Sequence, residues 1–398
     1  MKQMNSIFSD RITDVPRSFI REILKVAVDE SIISFAGGLP NRDLFPVKEI
    51  QAAANKVLGE SGKDALQYSS TEGDPALRKW IAERYRAKQG LSIDPNNILI
   101  TTGSQQGLDL LGKTIVNEGD GVIVEEPGYL GAIQAFSLYK PLFHPVPVGE
   151  DGIDLHALQG VLSQHRPKLF YSVPNFQNPS GISYSKENRE AVAQAFKGKK
   201  TILVEDDPYG ELRFLGQAKP SFRQFMPETS VLLGSFSKII APSLRIGWIV
   251  ASDAVMDKLV IAKQAADLHT NYLGQRIVLQ YLKDNDLDKH VALIRKAYGS
   301  QREAMVAAIQ AHFPAETRYT LPEGGMFLWI TLPEGLSALA VFDRAIQQKV
   351  AFVPGDPFYV NKKNVNTLRL NFSSVDEETI RTGIGRLGAV LKEMIGKR

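Results

Sequence analysis

Short apolar runs alternate with amphipathic stretches through the middle of the chain. Ile98-Leu99-Ile100 leads into a Gly-Ser turn and then a helical pattern from about Gln105 to Val116. Val122-Ile123-Val124, Leu169-Phe170-Tyr171-Ser172-Val173, Ile202-Leu203-Val204 and Val231-Leu232-Leu233 follow. Gly247-Trp248-Ile249-Val250-Ala251 closes the series. Continuous apolar runs this short fit buried strands with helices between them, so the pattern predicts an α/β domain with a mostly parallel sheet.

The C-terminal part has a different rhythm. Val291, Ile294, Tyr298, Met305 and Ile309 fall close to helical spacing, which predicts a long helix from about Leu287 to His312. Strand-like Met326-Phe327-Leu328-Trp329-Ile330, a helix near Ala338 to Gln348, strand-like Thr367 to Phe372 and a helix from about Glu377 to Met394 complete a smaller α+β domain. A helix from Pro16 to Val26 is expected to pack near it. The division is therefore 46–280 for the large domain, with 1–45 and 281–398 forming the small one. Two domains suit 398 residues, more than one core usually serves.

Composition narrows the function. Lys and Arg number 47 against 44 Asp and Glu, a formal charge of +3 that gives no case for nucleic acid or an anionic membrane as partner. No apolar run reaches the roughly 18 residues of a membrane span, and Met1 to Ser6 lacks a signal peptide's apolar core. A cytoplasmic location is the expectation. With no cysteine and six unclustered histidines, thiol nucleophiles are excluded and no metal site is expected.

In open α/β sheets ligands sit at the carboxyl ends of the strands. Gly103-Ser104, Glu125-Glu126-Pro127, Pro174-Asn175, Glu205-Asp206-Asp207 and Gly234-Ser235 all fall at such ends. One edge thus gathers groups from distant parts of the chain. Lys238, in Gly234-Ser235-Phe236-Ser237-Lys238, is an amine among hydroxyls with Arg245 close behind. That set suits a Schiff base to an aldehyde cofactor whose phosphate the hydroxyls and guanidinium hold. Ser104 and Gln105 open a helix after a glycine, where backbone N–H groups seat a phosphate; an N-cap turn has the same pattern. Asp206 can keep a pyridine nitrogen protonated, and Tyr209 and Asn178 can hydrogen-bond a phenolic oxygen. Both segments also read as ordinary Pro-containing turns. Tyr129 offers a ring face for stacking, or for the core. Arg369 lies inside the apolar strand Leu368-Arg369-Leu370, where a charge needs a partner. That partner is either a protein acid or the α-carboxylate of an amino acid.

Together these motifs resemble the fold-type I pyridoxal phosphate (PLP) enzymes, specifically the class I/II aminotransferases, over nearly the whole chain. Ser34-Phe35-Ala36-Gly37-Gly38-Leu39-Pro40 and Gln67-Tyr68-Ser69-Ser70-Thr71-Glu72-Gly73 resemble the branch of 2-aminoadipate, kynurenine and aromatic amino acid aminotransferases. The resemblance implies PLP as cofactor, bound covalently by Lys238, which then shuttles the substrate's α-proton. It implies Asp206 at the pyridine nitrogen, Asn178 and Tyr209 at the phenolic oxygen and Tyr129 on the ring. Ser104, Gln105, Ser235, Ser237 and Arg245 would hold the phosphate. Tyr68 would reach the phosphate of a neighbouring subunit, which implies a homodimer with shared active sites. Arg369, Asn178 and the backbone near Gly38 would hold the substrate carboxylate. Arg21 matches an arginine used against an acidic side chain, or pairs with a nearby acid on a solvated helix face.

The activity so implied is ping-pong transfer of an amino group between an amino acid and a 2-oxo acid, with glutamate/2-oxoglutarate as one pair. The alternatives are a β-lyase or decarboxylase on the same scaffold, and a non-enzymatic aminotransferase-like sensor domain. A sugar aminotransferase is a further possibility, against which Arg369 argues.

Overall fold

The structure, a computed structural model, describes residues 7–13, 15, 29 and 31–396. The expected helix Pro16 to Val26, with Arg21, lies outside the described residues.

Fourteen strands are described, in chain order β1 (Ile33–Ser34), β2 (Ile98–Thr102), β3 (Gly121–Glu126), β4 (Leu142–Gly149), β5 (Gly152–Ile153), β6 (Leu169–Ser172), β7 (Ile202–Asp206), β8 (Ser230–Ser235), β9 (Ile246–Val250), β10 (Arg318–Tyr319), β11 (Phe327–Thr331), β12 (Val350–Ala351), β13 (Val353–Pro354) and β14 (Thr367–Asn371). β2 to β9 form one sheet in the order β2-β9-β8-β7-β6-β3-β4-β5. β8, β7, β6, β3 and β4 are mutually parallel, whereas β9 runs antiparallel to both its neighbours and β5 antiparallel to β4. The mostly parallel α/β sheet expected from the apolar runs is thus present, with fold type I topology. Every residue of β6, β8 and β9 is buried, as strands covered on both faces must be.

β4 is the strand that the apolar pattern does not announce. Pro145 and Pro147 interrupt its sequence, yet it pairs in parallel with β3 near the sheet edge. There a missing N–H costs little, which is where prolines are tolerated in sheets.

The smaller sheet is antiparallel, β10-β11-β14-β13, with Arg369 on its inner strand opposite Trp329 and Val353. β1 pairs in parallel with β12. Phe35 then donates to Ala351 O at 2.8 Å and accepts from Asn371 N at 2.9 Å. These bonds lay the segment after β1 beside β14 and bring Ala36 and Gly38 to the same place as Arg369. The helices Leu287–His312 and Glu377–Gly396 occupy the positions expected from their periodicity. One continuous apolar core takes in Phe35, Leu108, Leu232, Met305, Leu370 and Leu391. We keep the division into 46–280 and 1–45 with 281–398 as a proposal, with this core shared between the two domains.

Candidate active site

Pairing registers align the carboxyl ends of the parallel strands. Tyr171 lies opposite Val204, Ser172 opposite Glu205, and Asp206 opposite Leu233. The turns that leave these ends surround a cavity of about 390 Å³. It is lined by Gly38, Ser104, Gln105, Tyr129, Asn178, Asp206, Tyr209, Ser235, Ser237, Lys238, Arg245 and Arg369. Tyr171, Val173, Pro208 and Pro242 complete the lining.

Lys238 ends the short 3-10 turn Phe236–Lys238 that follows β8. Ser235 caps this turn, accepting from Ser237 N at 3.0 Å and donating to Ser237 Oγ at 2.8 Å. The cap points Lys238 into the cavity, where Nζ donates to Gly38 O at 2.9 Å. The side chain is partly open along the cavity, but protein crowds the amine. Burial first, then the cations of Arg369 and Arg245, holds Lys238 down to about 8.

Asp206 is fully enclosed at the end of β7. Its Oδ2 accepts from Tyr171 Oη at 2.7 Å. Oδ1 is buried and has no hydrogen-bond partner. Burial pushes this carboxyl up to about 7; the Tyr171 hydroxyl opposes the shift, and the carboxylates of Asp207 and Glu125 add to it. A buried acceptor of this kind calls for a donor that the described residues do not supply.

The phosphate-type groups meet at the opposite end. Gly103 has φ +70 and a Cβ there would overlap the Arg245 guanidinium. The glycine therefore lets Arg245, itself at φ 54, lie against the first turn of the helix Gly103–Ile115. Arg245 NH1 donates to Pro242 O at 3.3 Å and NH2 to Thr102 O at 3.4 Å, two of the five N–H donors of its guanidinium. Gln105 donates to Gly131 O at 2.9 Å, and a Cβ at Gly131 would run into the Tyr129 ring.

Arg369 is buried in β14. NH1 donates to Asn178 Oδ1 at 2.7 Å and NH2 to Ala36 O at 2.8 Å, while Nε has no partner. The rings of Phe327 and Phe358 face the guanidinium at 4.3 and 5.3 Å from their centroids. No protein carboxylate is hydrogen-bonded to Arg369 among the described residues. Of the two partners weighed for it in the sequence, a protein acid is therefore not found among the described residues. Tyr209 is buried with its ring edge-on to Phe327, and burial raises its hydroxyl pKa.

Tyr68 stands apart from this cavity, 79% exposed and edge-on to His269 at 5.9 Å. Arg21 lies outside the described residues. Tyr171 carries no motif of its own in the sequence. It is the tyrosine of an otherwise apolar strand one place over from β7, and only that adjacency marks it.

The described residues 31–387 match the model of the aminotransferase class I and II family. A 2-aminoadipate transaminase of Thermus thermophilus is 45% identical over 96% of this chain and 95% of its own length. Aromatic-amino-acid aminotransferase 1 of Thermococcus litoralis is 40% identical over 98% of this chain and 95% of its own. The crystal structure of a Thermus thermophilus alpha-aminoadipate aminotransferase, complexed with N-(5'-phosphopyridoxyl)-L-leucine, superposes with a TM-score of 0.93 at 43% identity, covering 99% of this chain and 100% of that one. A cationic cavity at the strand ends and matches along nearly the full length lead to one conclusion: the chain belongs to the class I and II aminotransferases, transaminases of fold type I that use pyridoxal phosphate.

Proposed function

We propose that the enzyme exchanges an amino group between glutamate/2-oxoglutarate and a second pair, with 2-aminoadipate or an aromatic or aliphatic amino acid as its amino form. The observation that carries the α-amino acid reading is Arg369, a buried guanidinium whose Nε has no partner and which no acid hydrogen-bonds among the described residues. The 2-aminoadipate and aromatic names of the relatives support the choice of second pair.

The residues present fit the cofactor. The unpartnered Asp206 Oδ1 suits a ring nitrogen that carries a proton, and the Arg245–Gly103–Ser104 end suits a dianionic phosphate. Ser235, Ser237 and Gln105 would add hydroxyl and amide donors to that phosphate. Asn178 and Tyr209 would face the phenolic oxygen, and Tyr129 the ring. Bound PLP supplies an electrophilic carbon and an electron sink for the substrate's Cα.

Within this frame the protein's own groups have distinct tasks. Arg369 grips the α-carboxylate, with Asn178 and the backbone near Gly38 beside it. Lys238, with an amine partly unprotonated near neutrality, takes and returns the proton at Cα. Asp206 holds a proton at the ring nitrogen. Both half-reactions use the same groups, so donor and acceptor occupy the site in turn.

We propose further that the enzyme works as a homodimer. Tyr68 and Leu66 are strongly exposed, and Tyr68 touches His269 next to exposed Leu268. These apolar groups form a surface that a second copy would cover, and Tyr68 would then reach the partner's phosphate site.

Supplying glutamate with 2-oxoadipate, phenylpyruvate or a branched 2-oxo acid tests the assignment. A new amino acid should form in step with 2-oxoglutarate. Ammonia and pyruvate from a β-substituted amino acid, or carbon dioxide without amino transfer, would instead mark a lyase or decarboxylase.

A further inference from the structure

Glu125 sits at the carboxyl end of β3, buried, with no arginine or lysine hydrogen-bonded to it among the described residues. Such a carboxyl is costly unless donors surround it. They do: Oε1 accepts from Ser172 Oγ at 2.8 Å, Val173 N at 3.0 Å and Tyr184 Oη at 2.7 Å, and Oε2 accepts from Gln177 Nε2 at 2.7 Å. Four donors on two oxygens complement a carboxylate, which only accepts.

The Gln177 amide has one possible orientation. Its Oε1 accepts from Ser180 N at 3.2 Å and from Ser180 Oγ. Its Nε2 therefore faces Glu125, and it also donates to Pro127 O at 2.8 Å. Gln177 thus ties three things together: the Glu125 carboxylate, the turn that leads to Tyr129, and the loop that carries the next residue, Asn178. Asn178 Oδ1 in turn receives Arg369 NH1. The start of the same loop has a separate anchor, since Arg189 NH2 donates to Pro174 O at 2.8 Å and Asn175 Oδ1 at 2.7 Å.

We propose that Glu125 is a positioning residue for the substrate-carboxylate clamp: through Gln177 it fixes the loop bearing Asn178, and Asn178 aims the Arg369 guanidinium. The inference rests on Arg369 and Asn178 being that clamp. Glu125 does not line the cavity.

The test is a charge-preserving swap in the PLP-loaded enzyme. Glu125→Gln sets two NH2 groups face to face, and Gln177→Glu sets two carboxylates face to face. Each should raise KM for the amino acid about tenfold while kcat falls less than about threefold, the pattern of a lost binding interaction. The double variant Glu125→Gln/Gln177→Glu restores one donor and one acceptor across the contact but loses the bond to Pro127 O, so KM should recover part of the way, to about three- to fivefold above wild type. PLP affinity should fall less than about threefold throughout, because Lys238, Asp206 and Arg245 line the cavity outside this loop, whereas a general loosening of the fold would lower it in step with the rise in KM. An unaltered KM in either single variant, or a double variant no better than the worse single, would overturn the proposal. If a single variant does not fold, Ser180→Ala removes the hydroxyl donor from Gln177 Oε1, leaving only the backbone N–H, without touching the buried charge. It should raise KM about two- to fivefold, and an unchanged KM there overturns the proposal equally. Arg369→Gln serves as the reference. If it leaves KM unaltered, the clamp itself is misassigned; if it raises KM while the Glu125 set does not, only the positioning role is wrong.

Discussion

Tyr171 donates to one oxygen of Asp206, at 2.7 Å, and leaves the other oxygen buried and unpaired. The pair sits on neighbouring parallel strands, so the sheet itself sets the direction in which the free oxygen points. Replacing Asp206 with Asn removes the charge but keeps the acceptor of the Tyr171 hydroxyl. A hydrogen bond to a charged group contributes about 1.5–3 kcal/mol, so PLP affinity should fall roughly ten- to hundredfold, with a larger loss in kcat. Cofactor titration by absorbance measures the first and steady-state kinetics the second.

The same substitution should stabilise the cofactor-free protein above neutral pH. The folded-state pKa of Asp206 is raised from its ordinary value to about 7. Between the two values the folded chain binds more protons than the unfolded one, so stability falls as pH rises through that window. Asn at this position does not titrate and escapes the loss. Melting curves at pH 5 and pH 8 should show the variant gaining more on wild type at the higher pH; an equal difference at both would remove Asp206 as the cause.

Lys238 gives a pH dependence of opposite origin. Held down to about 8, it offers a roughly three-hundredfold larger share of free amine at pH 7 than an ordinary lysine. The rate at which added PLP is captured covalently should rise with pH, with a midpoint near pH 8, and level off above it. Arg369→Gln removes the stronger of the two cations that depress the amine, and should move that midpoint upward. A midpoint unmoved in the variant would show that Arg369 does not depress the amine.

Gly103→Ala should weaken PLP binding. The residue needs φ +70, and its Cβ would overlap Arg245. Backbone strain of this kind costs about 1–3 kcal/mol, or about five- to hundredfold if it falls on the phosphate seat. Gly90 has a similar φ of +67 with open space around it. Gly90→Ala should lower the melting temperature and leave cofactor affinity unchanged, which separates strain from overlap.

Sites shared across a dimer make a mixing experiment decisive for Tyr68. Lys238→Ala and Tyr68→Ala are each prepared alone, then unfolded, mixed in equal amounts and refolded together. A mixed dimer holds one site with both native groups, so activity should recover to about a quarter of wild type. No gain over the Tyr68→Ala enzyme would place Tyr68 outside the partner's site.

Much of this architecture is legible in the sequence because buried parallel strands are continuous apolar runs. Their ends fall where Asp206 and Ser235 do. The helix Leu287–His312 was equally readable from its 3.6-residue spacing. β4 was not, because Pro145 and Pro147 mask a strand that edge position makes tolerable. Within the site, Lys238, Arg245 and Arg369 stand out as cations in unusual surroundings. Glu125 is visible as an acid at a strand end, but its four donors come from Ser172, Val173, Gln177 and Tyr184, which only folding brings around it. Tyr171 hides for the same reason: its role depends on lying one strand away from Asp206.

The most direct measurement is borohydride reduction of the PLP-loaded enzyme, followed by peptide mass mapping, with and without prior addition of glutamate. The cofactor mass is expected on the peptide containing Lys238, and it should disappear when glutamate precedes the reductant. Cofactor fixed on a different lysine would refute the assignment of Lys238, and a label on Lys238 that glutamate leaves intact would refute glutamate as the amino donor.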